Sequence, residues 1–192
     1  MFENTLLSQN LMLSAVIIGI GATAMMDIWA LFLKMTFNIS GLNYALVGRW
    51  FGHLAKRKLI HQNIVTSSPI TGELLIGWTA HYVIGIIFAA TLLLLVGAPW
   101  AHSPSLLPAL FVGLVTVTFP LFVIQPCFGM GIAATKLPKP HISQMKSLIA
   151  HSVFGFGLYF SALLHHQLVM TIDKGQDAKT VGVEVYESVS ER

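Results

Sequence analysis

Long apolar stretches separated by shorter polar ones occupy most of the chain before residue 165. Four of them have the roughly 20 residues that an α-helix needs to cross the hydrocarbon core of a bilayer. These spans lie at about 11–33, 74–96, 106–124 and 142–164. The pattern therefore predicts an all-α, polytopic membrane protein with four transmembrane helices.

Composition supports this reading and limits what else the chain can contain. Of its 192 residues, 55% are hydrophobic and 10% are charged, with a mean hydropathy of +0.73, whereas soluble domains carry about 25% charged residues. Residues 1–170 are consequently expected to form one transmembrane domain, and residues 171–192 a polar, flexible tail. Cys127 is the only cysteine, so no disulfide can form within the chain.

Basic residues are distributed unequally between the two ends of the predicted spans. Eight of the eleven Lys and Arg residues lie between the first two spans or around the start of the fourth: Lys34, Arg49, Lys56, Arg57, Lys58, Lys136, Lys139 and Lys146. Lys and Arg near span ends are retained in the cytoplasm. The distribution predicts that both termini face the other side, which is the periplasm in a bacterial inner membrane.

The long segment between the first two spans shows a helical repeat of its own. Leu42, Leu46, Trp50 and Leu54 recur every four residues, and polar residues occupy most of the remaining surface. This pattern predicts an amphipathic helix at about 41–58 that lies on the cytoplasmic leaflet. A plain membrane anchor and a lipid-headgroup or partner-docking role are both consistent with it.

An internal repeat relates the second span to the fourth. Ala80, His81, Val83 and Gly85 recur, at a constant offset of seventy residues, as Ala150, His151, Val153 and Gly155. Parallel repeats of this kind occur in transporter folds. The hypothesis is that a two-helix hairpin is duplicated in tandem.

Small and polar residues at four-residue spacing mark the faces on which the helices should pack, because residues four apart share one face of a helix. The candidate packing residues are Gly19, Thr23, Gly77, Gly85, Ser147 and Gly155. Asp27, His81 and His151 continue these stripes, each about 8–12 Å inside the cytoplasmic boundary at a rise of about 1.5 Å per residue. We expect these three side chains to meet in one polar cluster inside the membrane.

Three interpretations of this cluster remain open. Its members can be hydrogen-bonding glue between helices, worth about 1 kcal/mol per pair. They can form a proton-coupled site, because histidine titrates near neutral pH and an intramembrane carboxylate needs a partner. Alternatively, His81 and His151 can be axial ligands of a haem, although no cofactor is predicted outright.

Polar residues also mark the third span, which Pro120 and Pro126 interrupt. A proline in a helix leaves a backbone carbonyl without its hydrogen-bond donor. That carbonyl must find a donor inside the bundle or in water. Thr116, Gln125 and Cys127 are therefore candidates for lining a cavity. The search for sequence signatures finds no catalytic residue set and no metal site, so an enzyme is not favoured.

The motif Gly21–Asp27, the two Ala-His-x-Val-x-Gly segments and Gln125–Gly129 together resemble an uncharacterised family of small bacterial inner-membrane proteins, known only as a domain of unknown function. The resemblance covers residues from about 10 to 166. It implies a four-helix membrane protein and supplies no activity, substrate or cofactor.

The working hypothesis is a membrane protein that moves or senses a small solute or a proton. The alternatives are a non-catalytic accessory or scaffold protein and a haem-binding redox protein. The expected partner is the lipid bilayer, with a homo-oligomer as an option because four short helices enclose little volume. Nucleic-acid binding is not expected, because the basic residues flank apolar spans.

Overall fold

The computed structural model describes the backbone of residues 2–190 and the side chains of residues 11–171. Its α-helices are α1 (Phe2–Phe37), α2 (Tyr44–Leu54), α3 (Glu73–Val96), α4 (Leu106–Thr116), α5 (Gln125–Cys127) and α6 (Pro140–Ser190). Four segments are long and apolar enough to cross a membrane: Leu11–Phe37, Glu73–Val96, Leu106–Cys127 and Pro140–Thr171. The predicted fold class is confirmed, and no strand occurs in residues 2–190.

The third span is continuous but irregular. After α4 the helix widens into a π-helical turn at Pro120–Ile124, continues through α5 and ends at Cys127. Proline cannot donate the backbone hydrogen bond of a regular α-helix, and π-turns commonly absorb such disruptions. The interruption predicted at Pro120 and Pro126 thus takes the form of a π-helical turn that begins at Pro120. The helix then ends at Cys127, one residue after Pro126.

The described helices pack antiparallel in the order α3, α1, α6, α4, and α2 lies against α3. Close contacts are made through glycine, since a Cβ at Gly19 would meet the backbone of Ile86 and one at Gly113 would meet Gly155. Small residues allow such approach in lipid, where dispersion and hydrogen bonds hold helices together. Helices α3 and α4 touch less, and a mostly apolar groove of about 450 Å³ separates them.

Helix α2 is the predicted amphipathic helix, with a shorter extent and a different buried face. The Asn43 side chain accepts a hydrogen bond from the Ala45 amide at 3.1 Å and caps its N-terminus. Its buried residues are Val47, Gly48, Trp50 and His53, whereas Leu42 and Leu54 of the predicted stripe are exposed. The stripe differs because α2 packs against α3 through Gly48 and not only against lipid.

Helix α6 runs into the segment that the sequence analysis treats as a tail. Its backbone is helical to Ser190, but the side chains of residues 172–192 lie outside the described part of the chain. The flexibility of that segment stays a prediction.

Candidate functional site

A hydrogen-bonded group of four side chains lies between α1, α2 and α3, about one third of the way into the spans. Asp27 Oδ1 is 3.1 Å from His81 Nε2 and 3.0 Å from the hydroxyl of Tyr44. The same hydroxyl is 2.9 Å from His81 Nε2. The Asp27 and His81 side chains are 17% and 12% exposed, so the three atoms form a closed, largely dry triangle.

Tyr82 completes the surroundings of the carboxylate. Its hydroxyl donates to Asp27 Oδ2 at 3.0 Å. Asp27 therefore has a partner on each oxygen, which a carboxyl group inside a membrane requires because an unpaired charge there is costly. We call Asp27, His81, Tyr44 and Tyr82 the Asp27 site.

Glycine contacts between α2 and α3 bring Tyr44 to this position. A Cβ at Gly48 would meet the backbone carbonyl of Glu73, and a Cβ at Gly77 would meet that of Tyr44 itself. The two backbones can approach this closely only because both residues lack side chains. The Tyr44 ring then lies 4.4 Å from the rings of both Trp78 and His81, measured between centroids.

A salt bridge fixes the middle of α2. Arg49 makes two hydrogen bonds to Glu73, from Nε to Oε2 at 2.9 Å and from Nη2 to Oε1 at 2.8 Å. Its Nη1 also donates to three backbone carbonyls, those of Ile64, Val65 and Ser67. A bidentate Arg–carboxylate pair fixes geometry better than a single contact does, so α2, the following loop and the start of α3 are held together.

The number of protons on these four side chains, and the atoms that carry them, determine which chemistry the site can support. With Asp27 ionised and His81 neutral, Nε2–H and both tyrosine hydroxyls donate to the carboxylate, and the site carries one negative charge. One further proton makes the site neutral overall, either as a carboxylate–imidazolium pair or as a carboxylic acid beside an imidazole whose Nε2 accepts. In the second case the Tyr44 hydroxyl turns from Asp27 to His81. The three atoms thus offer two alternative patterns of hydrogen bonds, which differ by one proton.

Tyr44 remains a hydroxyl donor throughout. Burial, followed by the charge of Asp27, holds the pKa of Tyr44 well above its usual range. Tyr44 therefore keeps its proton, and its hydroxyl can donate a hydrogen bond to Asp27 or to His81.

His151 makes its hydrogen bond elsewhere. Its Nδ1 lies 2.8 Å from the Thr116 hydroxyl, and that hydroxyl donates to the Gly113 carbonyl at 2.6 Å. Nδ1–H of His151 is therefore the donor to Thr116. The structure brings Asp27 and His81 together and places His151 in a separate pair with Thr116.

Helix faces explain the separation. His81 shares its face of α3 with Gly85, which packs on Thr23 of α1, whereas His151 shares its face of α6 with Gly155, which packs on α4. Helix α6 meets α1 along another face, where a Cβ at Gly157 would meet Ala22. Each histidine thus points to the span that precedes it in the chain.

The remaining predicted residues occupy several environments. Gly19, Thr23, Gly85 and Gly155 lie at contacts between spans, and Gly77 lies at the contact with α2; Ser147 is half-buried on α6. Thr116 lines the groove between α3 and α4. Gln125 and Cys127 are buried at the end of the third span, and Gln125 Oε1 has no hydrogen-bond partner among the described residues.

The arrangement does not fit a haem held by His81 and His151. Axial ligation uses a ring nitrogen as a lone-pair donor, but His81 Nε2 is bonded to Asp27 and Tyr44, and Gly113 and Gly155 bring the backbones of α4 and α6 together beside His151. Among the residues whose side chains are described, no three His, Cys, Asp or Glu side chains are grouped as a metal ion would require.

Sequence reasoning missed both tyrosines of the site. Tyr82 follows His81 directly, and its aromatic hydroxyl in an apolar span was a usable signal. Tyr44 begins a helix outside the spans, so no spacing rule relates it to Asp27. Only the packing of α2 on α3 brings it into the site.

Comparison with known proteins gives a family without a function. A family model described as "Protein of unknown function (DUF2938)" matches residues 16–165, which confirms the predicted resemblance to an uncharacterised family. No curated protein and no solved structure matches the chain.

Proposed function

The chain belongs to the DUF2938 family of proteins of unknown function, and from that premise we propose that it is a membrane protein that binds and releases one proton at the Asp27 site, for proton-coupled transport or sensing. The single observation that carries the proposal is the triangle of Asp27 Oδ1, His81 Nε2 and the Tyr44 hydroxyl. A pair of side chains that only holds two helices together needs one position for the shared proton. This triangle has two, Asp27 Oδ1 and His81 Nε2.

The position of Tyr44 suggests how proton binding reaches the rest of the molecule. Tyr44 belongs to α2, and its hydroxyl can donate to Asp27 or to His81 but not to both. A change of proton number at the site therefore changes a bond between a transmembrane pair and a helix outside the spans. Coupling of this kind requires that the two proton states favour different positions of α2.

Proteoliposomes distinguish the two forms of the proposal. Proton entry driven by an imposed membrane potential, above that of empty liposomes and lost in Asp27→Asn, supports transport. Absence of flux, together with hydrogen-exchange protection factors in α2 that change with pH in the wild type and not in Asp27→Asn, after correction for the intrinsic exchange rate, supports sensing. Absence of both responses would contradict the proposal and leave the scaffold alternative.

We further propose that one end of the bundle faces the cytoplasm of a bacterial cell and that both termini are periplasmic. This cationic end carries Lys34, Lys56, Arg57, Lys58, Lys136, Lys139 and Lys146, all of them exposed. The positive-inside rule supports this orientation. A cysteine introduced at Ser103, at the opposite end, should react with an impermeant maleimide from the periplasm, and reaction only from the cytoplasm would reverse the orientation.

Packing also supports the proposed tandem repeat. Gly85 contacts α1, and its counterpart Gly155 contacts α4. Each of these glycines thus contacts the span that precedes its own helix in the chain. The chemistry has diverged nevertheless, because His81 is bonded to Asp27 and Tyr44, and His151 is bonded to Thr116.

A further inference from the structure

A second cavity lies at the cationic end, where the third span stops. The loop after α2 packs against the end of that span: the His61 amide donates to the Cys127 carbonyl at 2.9 Å and the Ile64 amide donates to the Phe128 carbonyl at 3.1 Å. Gly129, with φ +85°, has no side chain to obstruct the backbone of Gln62. The loop after α2 and the end of the third span therefore form one continuous side of the cavity.

The cavity has a volume of about 560 Å³ and an amphipathic lining. Its lining includes Ile60, Gln62, Pro126, Ile132, Thr135 and Lys136. Ile60 and Ile132 are 69% and 60% exposed, so the mouth of the cavity is apolar. The polar groups of Gln62, Thr135 and Lys136 supply donors on the same lining.

Lys136 is the cation of this cavity. The other titratable lining group is His61, which is 2% exposed and whose Nε2 lies 2.8 Å from His53 Nδ1. His53 Nε2 in turn donates to the Ser68 carbonyl at 3.0 Å. Burial, with smaller effects of Lys58 and His53, lowers the pKa of His61, so this imidazole is neutral at neutral pH.

The cationic end has no acidic counterpart among the residues whose side chains are described. Arg49 is neutralised by Glu73, but none of the seven cationic-end residues forms an ion pair among the residues whose side chains are described. Unpaired Lys and Arg beside a membrane surface attract anionic lipids, by about 1 kcal/mol per residue.

We propose that this cavity binds the headgroup of an anionic phospholipid, with the phosphate beside Lys136 and Thr135 and an acyl chain along Ile60 and Ile132. Charge complementarity selects an anion. Exposed isoleucines at the mouth select a ligand with an apolar part, which a soluble phosphate lacks. The position supports the same choice, because the end of a transmembrane span lies at the level of the headgroups.

Native mass spectrometry of the full chain in mild detergent, titrated with phosphatidylglycerol, tests the proposal. Lys136→Gln removes the charge and keeps most of the side-chain length, and it should weaken binding about fivefold, the equivalent of about 1 kcal/mol. Lys139→Gln is the matched control, because Lys139 belongs to the cationic end and does not line the cavity. The control should change binding by less than about twofold, because Lys139 lies outside the lining and makes no direct contact with a phosphate bound beside Lys136.

Three results would overturn the proposal. Equal losses in both variants indicate a diffuse charge effect without a site. Equally tight binding of phosphatidylcholine removes the selection for an anion. Displacement of phosphatidylglycerol by millimolar inorganic phosphate identifies a free anion, not a lipid, as the ligand.

Discussion

Tyr44 connects the two titratable members of the Asp27 site. Its hydroxyl lies within 3.0 Å of both Asp27 and His81, whereas Tyr82 contacts Asp27 alone. The two tyrosines therefore differ in role although each donates to the same carboxylate. This difference provides an internal comparison at the scale of single residues.

Tyr44→Phe and Tyr82→Phe should separate these roles. Each removes a hydrogen bond to a charged group, worth about 1.5–3 kcal/mol, so both variants should have a lower melting temperature. Only Tyr44→Phe should abolish the pH dependence of the hydrogen-exchange protection factors in α2, which are corrected for the intrinsic exchange rate, because it removes the link between the proton site and that helix. An unchanged pH dependence in Tyr44→Phe, measured in nanodiscs, would show that Tyr44 does not transmit protonation.

At this scale the sequence predicts part of the site for a physical reason. Four-residue spacing places Asp27 and Thr23 on one face, and the cost of an intramembrane carboxylate requires a partner such as His81. The four-residue spacing does not show which neighbouring helix a given face packs against. The same spacing led us to expect both histidines beside Asp27, but His81 alone is hydrogen-bonded to it, and His151 is hydrogen-bonded to Thr116.

Among the elements, α2 was predicted as a surface helix and is also a packing partner of α3. Its buried Gly48 and the facing Gly77 permit contact between the two backbones. Hydrophobic periodicity indicated that a helix forms there, but it could not show which side meets protein, because lipid and protein interiors select similar apolar residues.

Gly48→Ala tests this contact. Alanine normally stabilises a helix interior by up to about 1 kcal/mol relative to glycine, but here its Cβ would meet the Glu73 carbonyl, and overpacking costs about 1–3 kcal/mol. We expect a lower melting temperature and faster hydrogen exchange in α2.

Gly41→Ala is the matched control for that experiment. Its Cβ would lie 3.5 Å from the Ala30 Cβ, an ordinary contact. Both properties should therefore stay close to those of the wild type. A Gly48→Ala protein as stable as the wild type would contradict the close approach of α2 and α3.

For the whole molecule, hydropathy alone predicted the four segments that are long and apolar enough to cross a membrane, because each is mostly apolar over about 20 residues. The order in which the helices neighbour one another required coordinates, as did the groove between α3 and α4. Self-association of the chain stays a prediction.

The bundle order gives each hairpin its own polar pair. Asp27 and His81 link α1 to α3, and Thr116 and His151 link α4 to α6. Only the first pair contains a carboxylate, and only the first pair is contacted by a residue outside the spans, which is Tyr44. The proton site that we propose accordingly lies in the first hairpin.

Histidine-selective ¹⁵N NMR of the nanodisc-embedded protein tests most directly whether Asp27 and His81 share a proton. In the wild type we expect Nε2 of His81 to carry a hydrogen-bonded proton and to respond to pH. In Asp27→Asn this signal should change, while the signal of His165, whose Nε2 lies 2.9 Å from the Ser14 hydroxyl at the other end of the bundle, should not. Identical His81 spectra in the two proteins would contradict the account.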